Sequence, residues 1–171
     1  MRLTVLFAAV LSLLCLSNSA AQRRSPSAAG RAQLLRELRK CVHPEKPGCS
    51  EDSVDRVAEL YKQGDTGVLP KLMDVAPRSD GALSESLGVF FSDLLCHKPR
   101  TFLRAVATRP RSEHDRLLNL AATADGGGMG CHRGMARLRR RLKEISRNRN
   151  DRLAGLAKRC LAQVNEHNPA R

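Results

Sequence analysis

Apolar residues along the chain fall into short runs at helical spacing, each closed by proline or glycine. The first run, Leu34, Leu35, Leu38, Cys41 and Val42, shares one helix face and stops at Pro44, Pro47 and Gly48. The next stretch, SEDSVDRVAELYKQG, has Ser50 or Ser53 to cap it, acids in its first turn, and Gly64 to end it. Its apolar line passes through Val54, Val57, Leu60 and Tyr61. A further helix from Asp65 or Thr66 tolerates Pro70 in its first turn and carries Val68, Leu69, Leu72, Met73 and Val75 as far as Pro77. The two predict a helical hairpin.

That layout then returns. Ser79 or Asp80 opens a helix bearing Leu83, Leu87, Phe90, Phe91, Leu94 and Leu95, and Phe102, Leu103 and Val106 follow Pro99. Leu60, Val68, Leu69, Leu72 and Leu83 stand 34 residues before Leu94, Phe102, Leu103, Val106 and Leu117, and APRSDGAL is echoed by TRPRSEHDRLL with one residue inserted. A two-helix period suits stacked hairpins, because each pair has an apolar face that only its neighbours can bury. Over residues 53–124 the pattern resembles the HEAT class of α-helical repeats, and that resemblance implies a protein-binding scaffold without catalytic residues. Beyond it, the glycines of ADGGGMG, residues 124–130, predict a hinge or loop. Two more helices follow, one over 133–148 and one carrying Leu153, Leu156, Cys160 and Val164, parted near Asn148 to Asp151. The expected fold class is all-α: short antiparallel helical hairpins stacked as a HEAT-like right-handed array, or an irregular helical bundle.

Composition supports helices. With no Trp, one Tyr and four Phe, the core must come from Leu, Val, Ala and Met, which suit helix packing better than sheets. The N-terminal residues run from Arg2 through an apolar segment, Leu3 to Leu16, to a small-residue tail with Ser19 and Ala21 spaced for cleavage. That segment is shorter than the roughly 20 residues a membrane span needs and is followed by Arg23 and Arg24. Leu14 before Cys15 does not fit a lipoprotein site. The expected organisation is a signal peptide at 1–21, a flexible leader at 22–30, one α-helical domain at 31–165 and a polar tail at 166–171. Secretion or residence in a periplasm follows, with no transmembrane segment after cleavage.

The formal net charge is +13, and about +12 once Arg2 is removed, so acidic partners are attracted. Arginine outnumbers lysine by 23 to 7, a ratio that a genome rich in G and C also produces, so it decides nothing. The basic residues concentrate in RGMARLRRRLKEISRNRNDRL. As a helix, this stretch gathers Met135, Leu138, Leu142 and Ile145 within an arc of about 80°. Arg133, Arg137, Arg139, Arg140, Arg141, Lys143 and Arg147 fill the remainder, relieved only by Glu144. Such a surface is either a solvated helix face or a site for an acidic protein or anionic polymer. Nucleic acid is a weaker candidate, because neither zinc-finger nor RNA-binding signatures occur and aromatics for base stacking are scarce. An anionic membrane surface is weaker still, since the apolar face carries no aromatic residue.

The cysteines of the mature chain are Cys41, Cys49, Cys96, Cys131 and Cys160, an odd set. Cys41 with Cys49 closes a short loop, and Cys96 can pair with Cys131 or with Cys160. The dipeptides Cys96-His97 and Cys131-His132 lack the spacing of a zinc site, and neither metal nor cofactor is expected. For catalysis, His114 follows Ser112 between Glu113 and Asp115, but SEHD also reads as a helix cap with an acidic first turn. A small hydrolase using His114 or His97 is the enzymatic alternative to a non-enzymatic binding module.

Overall fold

The computed structural model describes residues 27–43, 49–123 and 134–168. The expected signal peptide, the glycine run at 124–130, Cys131 and Arg133 lie outside the described residues. The described residues form eight α-helices, with no strand among them: α1 (Ala28–Lys40), α2 (Glu51–Lys62), α3 (Leu69–Val75), α4 (Gly81–His97), α5 (Pro99–Ala107), α6 (Arg111–Thr123), α7 (Met135–Arg147) and α8 (Ala154–His167). No helix among them is long and apolar enough to cross a membrane.

Local chemistry sets the boundaries. Helix α1 begins at Ala28, ahead of the expected Arg31, because the Ser27 hydroxyl caps it by accepting from the Gly30 amide at 3.2 Å. Gly64 ends the α2 turn with φ of 107°, a left-handed conformation that side chains with a Cβ avoid. Thr66–Val68 form a 3₁₀ turn that leads into α3, with Pro70 in its first turn. Pro99 occupies the start of α5, where its missing N–H costs nothing. Helix α8 runs to His167, into the expected tail.

The helices pack in two layers. Helices α1, α3, α5 and α7 follow one another along one layer, and α2, α4, α6 and α8 along the other. Pairs such as α1 with α2, α4 with α5 and α7 with α8 join the layers. Each helix thus packs on its predecessor and successor in the same layer, the arrangement stacked hairpins adopt to cover their apolar faces. Leu38, Leu72, Leu87, Phe91, Phe102, Leu117, Leu118 and Leu142 are fully buried along one continuous core. Tyr61, Phe90, Phe91 and Phe102 touch in sequence, with ring centroids 5.4 to 5.9 Å apart.

Polar braces repeat with nearly the period of the apolar pattern. Arg31 pairs with Asp65, the Arg78 guanidinium donates to the Val42 carbonyl, Ser86 donates to Glu51, and Arg109 pairs with Asp74. Arg116 donates to the Ser79 carbonyl. These partners stand 34 to 37 residues apart, so one step of the array is closed by polar contacts as well as by packing. The hydrogen bond from Arg31 holds the Asp65 carboxyl below the ordinary carboxylate range.

Cys41 and Cys49 form a disulfide, with Cα atoms 4.6 Å apart, and so tie the end of α1 to the start of α2. Cys96 is also disulfide-bonded. The expected alternative of Cys96 with Cys160 is corrected: Cys160 is a free thiol, enclosed by α8 and its neighbours. Burial among apolar groups pushes its pKa up to about 12.

Candidate functional site

Helix α7 forms as expected, with Leu138, Leu142 and Ile145 buried and Met135 half-buried. Its C-cap is Asn148, where the helix must stop because Arg149 would otherwise enter the apolar stripe. The following turn is held by Asp151, which accepts from the Leu153 amide at 3.0 Å and from Arg100 at 2.7 Å. Those bonds, the amide first, lower the Asp151 pKa. The turn lets α8 double back along α7.

The basic residues of α7 divide into two groups. Arg137, Arg140, Lys143 and Arg147 are exposed. Among the described residues Arg137, Lys143 and Arg147 have no side-chain partner, and Arg140 reaches Glu144 only at 4.0 Å, with both groups largely in solvent. Arg139 and Arg141 are half-buried and turned inward, which corrects the expectation of one outward surface. Arg139 donates to the Asn165 Oδ1 at 2.9 Å and to the Asn168 carbonyl, fastening the end of α8. Arg141 reaches the His97 carbonyl at 3.4 Å, at the end of α4.

Helical geometry explains the division. At 100° per residue, Arg141 and Arg139 fall about 40° outside the two edges of the apolar arc, while the other four basic residues occupy an arc of about 120° opposite it. Residues at the edges lay their stems along the neighbouring helices and carry their charge to carbonyl oxygens. That signal is present in the sequence, and treating the whole polar side as one face misses it.

The two histidines considered for catalysis have different settings. His114 is buried. Its Nε2 lies 2.9 Å from the Arg109 carbonyl and its Nδ1 3.0 Å from Arg159 Nη2. A carbonyl only accepts and a guanidinium only donates, so the ring is the neutral tautomer with hydrogen on Nε2. Its one lone pair faces Arg159 in this arrangement. His97 is exposed, and its Nδ1 lies within 3.0 Å of the Asp93 carbonyl and 3.2 Å of the Asp93 carboxylate. Among the described residues no cluster of His, Cys, Asp or Glu is placed to hold a metal ion. No family model matches the chain, and neither a curated protein nor a solved structure matches it.

Proposed function

We propose that this protein is an exported, non-enzymatic helical module that binds an acidic protein or an anionic envelope polymer through α7. The observation that carries this reading is the exposed row of Arg137, Arg140, Lys143 and Arg147, with one weakly placed carboxylate beside it. The row is unfavourable for the isolated fold. Its members repel one another at spacings of three and four residues, and Arg137 lies in the first turn, where the helix dipole disfavours cations. An acidic partner relieves both costs. The engagement of the His114 ring by Arg109 and Arg159 supports reading it as a structural residue rather than a hydrolase base. Export is supported by the N-terminal pattern of charge and apolar residues and by the Cys41–Cys49 disulfide. Two-layer stacking is consistent with the scaffold that the HEAT-like pattern implies.

The test is retention on immobilised polyglutamate, with duplex DNA and anionic vesicles as parallel ligands. Replacing Arg137, Arg140 and Arg147 together by Glu is expected to abolish retention while the helical circular dichroism stays unchanged. Equal retention of that folded variant would remove the proposal. Tighter binding to DNA or vesicles than to polyglutamate would transfer the face to the corresponding alternative.

A further inference from the structure

Two open clefts stand out on the surface of the described residues. One, about 590 Å³ between α4 and α6, includes Glu85 and Arg116, and Arg116 is already committed to the carbonyls of Ala76 and Ser79. The other, about 620 Å³, lies where the end of α5, the start of α6 and the start of α8 meet. Its wall carries Arg111, His114, Arg152, Gly155 and Arg159, and no carboxylate lines it. A volume of this order is ordinary for a ligand site.

The charges in this cleft are not balanced internally. Arg159 is spoken for, with Nη1 on the Asp115 carboxylate at 2.9 Å and Nη2 on His114 Nδ1. That pairing balances the charge of Arg159. The side chains of Arg111 and Arg152, both exposed, have no hydrogen bond or ion pair among the described residues, so the cleft keeps two uncompensated guanidiniums. The backbone is also open there. A Cβ added at Gly155, in the first turn of α8, would meet nothing within 4 Å.

We propose that this cleft binds a phosphate group. The free guanidinium forks of Arg111 on α6 and Arg152 in the turn before α8 suit a tetrahedral oxyanion, which offers acceptors in several directions. A planar carboxylate serves one fork at a time. Gly155 keeps the approach clear, and Arg159, paired with Asp115 and His114, forms part of the wall. The site shares no residue with the α7 face and does not depend on the function proposed for it.

Calorimetric titration of the intact protein with inorganic phosphate tests the proposal, with acetate as the carboxylate control. Vesicles containing phosphatidic acid are compared with phosphatidylcholine vesicles, which separates free phosphate from a lipid headgroup as the source. Saturable phosphate binding is expected, weakened about tenfold by Arg111→Gln or Arg152→Gln, each of which removes a charge-assisted contact. Gly155→Glu is expected to abolish binding by placing a carboxylate in the cleft, and an acid in the first turn of α8 leaves the helix intact. Binding to phosphatidic acid alone, lost in the same variants, assigns the phosphate to a headgroup and supports the site. No binding of either ligand, binding that the three variants leave unaltered, or equal binding of acetate overturns it.

Discussion

Arg137 and Arg139 are two residues apart on one helix, carry the same charge, and should behave oppositely when truncated to alanine. Arg139 makes hydrogen bonds to Asn165 and to the Asn168 carbonyl from a half-buried position. Bonds from a charged donor are worth about 1.5–3 kcal/mol when enclosed, and partial exposure reduces the pair to about 1–2 kcal/mol. For a domain of this size that corresponds to a fall in Tm of about 3–6 °C for Arg139→Ala. Arg137 makes no such bond, so Arg137→Ala should change stability by less than about 0.5 kcal/mol. Any change should be upward, because the substitution removes repulsion from Arg140 and Arg141. Affinity for polyglutamate should show the reverse order: Arg137→Ala weakens it about two- to fivefold, the value of one exposed ion pair, and Arg139→Ala leaves it nearly unchanged while the protein is folded. Thermal unfolding by circular dichroism and salt elution from polyglutamate measure the two quantities. Equal destabilisation by both substitutions, or weaker binding only in folded Arg139→Ala, would refute the division of α7 into an anchoring pair and an outward row.

Two further outcomes follow from the core. Phe91→Ala, at a fully buried ring packed between Phe90 and Phe102, should cost about 3–5 kcal/mol in denaturant unfolding; a loss under 1 kcal/mol would contradict the continuous aromatic core. Cys160 should resist iodoacetamide in the native protein and react on unfolding. Its folded pKa is raised, so its contribution to stability is intact below the ordinary thiol value of about 8.5 and is lost as pH rises from there toward 12; rapid native labelling at pH 8.5 would contradict the burial.

Much of this architecture was readable from residue order because helix formation depends on neighbours. The apolar spacing of three and four, Gly64 after Tyr61, Pro99 before Phe102 and the break after Arg147 all act within one or two turns, and the structure places element ends near them. The 34-residue recurrence pointed to helices of equivalent role, and these stack within their own layers. The pairing of Cys41 with Cys49 was also accessible, since only a short loop separates them.

Other properties depend on residues far apart in the chain. Pattern alone shows that Arg139 and Arg141 border the apolar stripe of α7, but their bonds require the end of α8 and the end of α4 to arrive at that stripe. His114 reads as one of several polar residues in SEHD until α8 brings Arg159 to its Nδ1 and settles the tautomer. The cleft containing Arg111, Arg152 and Gly155 has no local signature, because its walls come from three helices. Sequence determined where the chain coils and which stripe of each helix avoids water, since both are set by chemistry within a few residues. Tertiary structure decided which charges are satisfied and which remain open, because a guanidinium finds its partner through the packing of helices that its own neighbours do not specify.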